Sequence, residues 1–328
     1  MTKSEYQVKY YINLDEWDAF VDLSPQGSLF CRSWWLNVVC PDSFQILTVT
    51  KGERIIAGMP LPISRKWREH SFLMPLLTQT LGVLIRPSEK LTYEGKLTEE
   101  MEGLKVLVEA IPRCDSFSMN FHYNFTNWLP FYWKGYQQTT YYTYIIKDLT
   151  DINMIYAKMT LSKRKRIEKA KKIVVVSADL SAKEFYENHK MTLAKQGKKI
   201  DYSYNMFKRI YTASNKNSAA KIWCASDEKN NIHAAIFIVY DAKSAYYLIS
   251  SIDPDFRSSG ATSLLHMEAI KYLSQYTKRY DFEGSMIPGV EHSFRKFGAV
   301  QVPYFRIYKD NRSLLKKISG RALRMVTR

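Results

Sequence analysis

Residues 253–261 read Asp-Pro-Asp-Phe-Arg-Ser-Ser-Gly-Ala and lie between a run with strand character and a run with helix character. The start of a helix offers unpaired N–H groups and partial positive charge to a phosphate, and glycine lets the backbone come close. Arg257, Ser258, Ser259, Gly260, Ala261 and Thr262 therefore outline a diphosphate site. The same residues also read as an ordinary helix capped by Ser258 or Ser259, with Gly260 placed for packing. A second candidate is the strand expected over 278–283, where alternation puts Tyr280 and Phe282 on one face and Asp281 and Glu283 on the other. Glu283 ends that strand where a cleft would open. His292 is an alternative proton carrier, or else a surface or packing residue. Tyr247 and Ser250, on the strand before the Arg257 turn, and Tyr304 are expected to line the same cleft; each tyrosine also reads as core or wall.

Residues 158–172 carry eight Lys and Arg against Glu168 alone. Lys163, Arg164 and Arg166 within this run form either a phosphate grip for an acceptor or tRNA, or one solvated helix face. A second basic stretch, 312–328, sets Leu314, Leu315, Ile318, Leu323 and Val326 among cationic residues. It reads as an amphipathic segment for an anionic membrane surface, or as a docked terminal helix.

These candidates need a scaffold, and the bulk numbers bound it. A chain of 328 residues exceeds what one core usually organises, so two domains are expected. Its hydrophobic fraction of 46% excludes a disordered chain. The 48 Lys and Arg against 32 Asp and Glu give a formal charge of +16, a field that favours anionic partners without choosing among them. Cys31, Cys40, Cys114 and Cys224 show neither paired nor C-x-x-C spacing, which fits reduced thiols in the cytoplasm. No Cys/His cluster implies a metal. The first residues mix Lys3, Glu5 and Lys9 into apolar positions, unlike a signal peptide, and no apolar run approaches the roughly 20 residues of a membrane span. A cytoplasmic protein with peripheral membrane contact through the tail is the expectation.

Hydrophobic periodicity gives broken helices over 16–39, strands over 44–49 and 54–63 about a Lys51-Gly52-Glu53 turn, a helix over 97–111 and a strand over 116–121. The order then recurs: helix over 183–213, strands over 220–225, 232–240 and 245–252, helix over 259–276, strand over 278–283, short helix over 290–297, strand over 304–308. Adding 163 carries Gly135, Gln138, Tyr141 and Tyr142 onto Gly298, Gln301, Tyr304 and Phe305. The repeat implies tandem copies of one domain, 1–150 and 151–310, joined near 149–155, with a tail over 311–328.

The R-x-x-G-A turn, the Tyr280-Asp281-Phe282-Glu283-Gly284 strand and the helix ending in Phe297-Gly298 together resemble the GNAT acyltransferase superfamily. In the family pattern a second Gly or Ala follows one residue after the first Gly; here Ala261 comes directly after Gly260 and Thr262 takes that position. The basic helix from Leu161 is similar to the one opening the second domain of the FemAB-like branch, whose members hold two GNAT domains. The resemblance implies an α/β (α+β) fold: two tandem GNAT-like domains, each a mixed, mainly antiparallel sheet flanked by helices. It implies an N-acyltransferase that moves an acyl group from acyl-CoA to an amine on a sugar, cell-wall precursor or lipid-linked acceptor. Glu283 would be the general base, with His292 and Tyr247 as alternatives, and residues 257–262 would hold the donor pyrophosphate. A FemAB-like aminoacyl transferase using aminoacyl-tRNA is the alternative, and a non-catalytic nucleic-acid or lipid-binding protein on the same fold is a third reading.

Overall fold

Runs rich in β-branched and aromatic residues become the strands, and apolar stripes at helical spacing become the helices that cover them. The computed structural model describes residues 5–10, 13–66, 69–284 and 286–312. In chain order the first elements are β1 (Tyr6–Lys9), α1 (Leu14–Leu23), α2 (Ser33–Val39), β2 (Phe44–Lys51), β3 (Arg54–Lys66), β4 (Glu69–Leu73), β5 (Leu84–Ile85), α3 (Tyr93–Glu109), β6 (Ser116–Asn120) and α4 (Leu129–Trp133). Next come β7 (Gln137–Ile146), α5 (Ile152–Lys158), α6 (Leu161–Ala170), β8 (Val175–Ser177), α7 (Ala182–Ala194), α8 (Tyr204–Lys216), β9 (Ala220–Ser226), β10 (Ile232–Tyr240) and β11 (Ala245–Ile252). The last are α9 (Ala261–Leu273), β12 (Tyr280–Asp281), α10 (Pro288–Arg295) and β13 (Val300–Asp310).

The chain divides into two units, Met1–Thr140 with Tyr304–Arg328, and Tyr141–Pro303. In the first, β1, β2, β3 and β4 pair antiparallel in turn. β4 then pairs parallel with β6, and β6 pairs antiparallel with Arg306–Asp310 of β13. In the second, β8, β9, β10 and β11 form the antiparallel run. β11 pairs parallel with β12, and β12 antiparallel with Ile145 and Ile146 of β7. Each unit is thus a mixed, mainly antiparallel sheet with one parallel pair bridged by a helix, α3 or α9, over its own core.

The sequence repeat has a structural counterpart. Gly135 and Gly298 each follow a short helix, each adopts φ +76°, and each leads into a strand, β7 or β13. The division falls inside those two strands, after Thr140 and Pro303, positions 163 residues apart. It therefore differs from the expected boundary near 149–155: strand pairing, not a linker, sets it, and the final strand expected to close the second domain pairs in the first unit. The mostly helical stretch expected over 183–213 holds two helices, α7 and α8, separated around Gly197 at φ +68°. The basic tail lies almost wholly outside the described residues.

Candidate active site

The parallel register of β11 and β12 covers only Ala245 with Tyr280 and Tyr246 with Asp281. The strand expected to run through Glu283 stops at Asp281 because the chain turns there: Glu283 and Gly284 have φ +57° and +59°. A side chain at Gly284 would strike the carbonyl of Tyr142, so only glycine lets the turned backbone close on that strand. β11 continues to Ile252 while its neighbour departs, and the two strands splay apart. On the other side of β11 the register with β10 slips between Phe237 and Ile238, a bulge that re-aims the residues around Tyr247. Aromatic rings floor the splay: His266 lies 4.4 Å from Tyr247, 5.1 Å from Phe282 and 5.1 Å from Phe297, centroid to centroid.

Glu283 stands at the tip of this gap. Its Oε1 is buried without a hydrogen-bond partner. Burial first, and the Asp281 charge second, push its carboxyl well above the usual carboxylate range. Asp281 is itself fixed, accepting hydrogens from the Thr143 hydroxyl and, at 2.8 Å, from the Glu283 N–H. Behind it the Tyr280 hydroxyl and His266 Nδ1 are 2.8 Å apart in the core. Burial, then the nearby Lys163 charge, lowers His266 to about 3, so its ring is neutral at pH 7. A carboxyl whose proton affinity is raised by burial is a stronger base than an exposed one, which suits proton exchange with an amine.

The turn over 253–260 winds into a short 3-10 helix, and Gly260 at φ +84° opens α9. The Ala261 N–H is satisfied by Ser259 Oγ at 3.2 Å. α6 lies against this junction. Thr160 caps it, accepting from the Lys163 N–H at 3.3 Å, and Lys163, Ile167 and Ala170 form its buried stripe. A Cβ at Gly260 would meet the Arg166 carbonyl oxygen, and Lys169 donates to the Ser258 carbonyl at 2.9 Å. Arg257 is exposed and donates to Gln196 at 2.9 Å. Ser258 is exposed, Ser259, Gly260 and Ala261 are buried, and Thr262 is half-buried. The turn expected to present open amides is therefore capped by its own serine and covered by a neighbouring helix, because Gly260 serves close helix packing.

Lys163, expected on a phosphate-gripping surface, is buried at 4% exposure. Its Nζ lies 3.1 Å from Ser293 Oγ of α10, 3.4 Å from Ser263 Oγ of α9 and 4.0 Å from the Phe297 ring centre. One ammonium thus joins α6 to both helices. Burial, then Arg166 and Lys296, depress it to about 8. The folded value lies below the unfolded one, so this group costs stability below about pH 8, and the cost is relieved as pH rises toward its ordinary value near 10.5. Replacing it with methionine is expected to raise stability at pH 7 by about 1–3 kcal/mol, with the gain shrinking between pH 8 and 10.5. Urea denaturation of both proteins across that range checks this; a gain independent of pH would refute the assignment.

The remaining expected residues separate. Tyr247 is buried in the floor, its hydroxyl bonded to Ser250 and pushed up to about 12 by burial. His292 is exposed on α10, where its Nδ1 accepts from Arg295 at 2.7 Å; the helix turns it to solvent, not into the gap. Arg164 is half-buried 6.0 Å from the Tyr156 ring, and Arg166 is exposed. Tyr304 belongs to the first unit. Sequence reasoning missed His266, whose signal was a lone histidine on the buried stripe of α9, and missed the burial of Lys163, legible in its spacing of four and seven residues from Ile167 and Ala170.

No curated protein sequence matches this chain. An acetyltransferase (GNAT) domain family matches residues 157–306, the stretch that holds the splay, Glu283 and the Gly260 junction. Among solved structures, FemX is similar over 91% of this chain and 96% of its own, with TM-score 0.68 and 12% identity. Residues 157–306 thus form a GNAT-type domain, and the chain as a whole has the fold of FemX. That domain marks an acyltransferase. The tandem GNAT protein from the clavulanic acid biosynthesis pathway shares the fold over 92% of this chain and 97% of its own, at TM-score 0.51 and 8% identity. The C-terminal domain of a putative lysylphosphatidylglycerol synthetase from Agrobacterium fabrum does so over 90% of each, at TM-score 0.51 and 10% identity.

Proposed function

We propose that this acyltransferase moves an aminoacyl group from aminoacyl-tRNA to an amine on a cell-wall precursor, with Glu283 as the proton acceptor. The observation that carries this choice of donor is α6. In the family pattern an acyl-CoA pyrophosphate meets the start of the helix after the turn, and here the Arg166 carbonyl stands against Gly260 at that place. Meanwhile Lys165, Arg166, Lys169, Lys171 and Lys172 keep exposed side chains along and just beyond the same helix, a cationic row suited to a phosphodiester backbone. In the reaction the acceptor amine attacks the ester carbonyl, its proton passes to Glu283, and the ribose oxygen leaves and takes a proton in turn. A carboxyl raised by burial takes up that proton more readily than an exposed one.

A thermal-shift series tests the donor. Charged tRNA is expected to raise the melting temperature by mass action, about 2.7 kcal/mol of stabilisation at a hundredfold excess over Kd, and acetyl-CoA to leave it unchanged. The reverse result would return the reading to an acyl-CoA donor. Changing Lys165, Arg166 and Lys172 together to Gln should weaken tRNA binding and flatten its salt dependence by about two to three units of slope; an unaltered slope removes α6 from the interface.

A further inference from the structure

The first unit holds a cavity of about 570 Å³ that the transfer site does not use. It lies beside the N-terminal half of α3, the helix that bridges the parallel pair β4 and β6 as α9 bridges β11 and β12. In the second unit the start of the bridging helix is covered by α6; in the first, one side of that helix opens to solvent-accessible space. The volume falls in the range of roughly 300–1,000 Å³ that holds small ligands.

Charge separation distinguishes its walls. Arg86, Lys96, Glu99 and Glu100 all line it, and among the described residues none of the four joins an ion pair within 4.0 Å. Three of the four are oriented by something else. Arg86 donates Nε–H to the Ile55 carbonyl at 2.6 Å, and its guanidinium lies 5.9 Å from the Phe20 ring centre. Glu99 accepts from the Ser88 hydroxyl, and Glu100 accepts from Asn127 at 2.9 Å. Arg86, Glu99 and Glu100 are thus held by neutral partners around one space, with Lys96 beside them, while Lys51 and Arg54 on the same lining are paired to Glu5 and Glu89. Ile56, with Ala57, gives that space an apolar wall.

We infer that this cavity binds a zwitterion with an apolar body, an amino acid or a short peptide. Its carboxylate would meet the planar fork of Arg86 with Lys96 beside it, the geometry in which guanidinium recognises carboxylate. Its ammonium would meet Glu99 and Glu100, and its side chain the apolar wall. A tRNA-linked aminoacyl ester has no free carboxylate, so it leaves Arg86 unmatched; the cavity is a second site, separate from the donor. The inference does not depend on which donor the second unit uses.

Calorimetric titration of the full chain with the dipeptide Leu-Leu tests it, beside free leucine, Leu-Leu amide and N-acetyl-Leu-Leu. Neutralising either end of the dipeptide should weaken binding about tenfold or more, the usual scale of a charge-assisted hydrogen bond. Arg86→Gln and Lys96→Gln should weaken Leu-Leu but not its amide, and Glu99→Gln should weaken Leu-Leu but not its N-acetyl form. Lys96 is exposed on α3, so its variant tests the carboxylate end even if Arg86→Gln melts early. Leucine binding without the dipeptide, or the reverse, fixes the ligand length within the same proposal. Equal binding of capped and uncapped dipeptides, variants without effect, or no heat from either probe up to about 10 mM would overturn it.

Discussion

Glu283→Gln is expected to lower turnover by about 10²–10⁴-fold while making the protein more stable at pH 7. The two effects share one cause. The carboxyl has an oxygen buried without a partner, and burial raises its proton affinity in the folded chain. Below the unfolded value both states hold the proton and nothing is lost. As pH rises past that value the unfolded state releases its proton first, so stability falls until the folded carboxyl ionises too. Glutamine does not ionise, and its stability should show no such fall; the difference at pH 7 is expected near 1–3 kcal/mol, the scale of an unsatisfied buried polar group. Urea unfolding at several pH values and single-turnover transfer read the two halves separately. Unchanged turnover would remove Glu283 from the chemistry, and a less stable variant would mean that the carboxyl has a partner in solution.

Gly260→Ala carries the second large effect, expected to destabilise the second unit by about 2–4 kcal/mol. Its φ of +84° is unfavourable for any residue with a Cβ, and the added carbon would meet the Arg166 carbonyl oxygen, which belongs to a helix backbone and cannot rotate aside. Relief requires α6 to lift from α9, so hydrogen exchange should quicken in α6 and around Lys163 before it does in the β9–β10 pairing. Uniform loosening across the unit would show that Gly260 acts through its dihedral angle and not through α6.

Local chemistry made much of this architecture legible. The strands from β9 to β11 and the helix α9 follow from alternation, from the Arg257–Gly260 turn and from the apolar stripe around Leu265 and Ile270, all encoded within a few residues. Gly135 and Gly298 marked the repeat because each needs a left-handed backbone at the same point of the fold. What stayed hidden depends on distant neighbours. Nothing near Gly260 reveals that Arg166 will pack on it, since that contact joins segments more than ninety residues apart. Alternation carried β12 through Glu283, whereas the observed turn is set by how Gly284 fits against Tyr142. Lys163 shows how a basic run misleads: six of its eight cations are exposed and Arg164 is half-buried, but helical spacing places Lys163 inside.

The pairing of β6 with Arg306–Asp310 has a consequence for synthesis. A ribosome making this chain has emitted Ser116–Asn120 long before the segment that will lie beside it exists. The N-terminal unit therefore waits with an open sheet edge until residues 306–310 have been made, exposed to wrong partners meanwhile. Cutting the gene near codon 150 would leave that edge permanently bare, so shielding during birth, and not only stability once made, is part of what this topology demands of the cell.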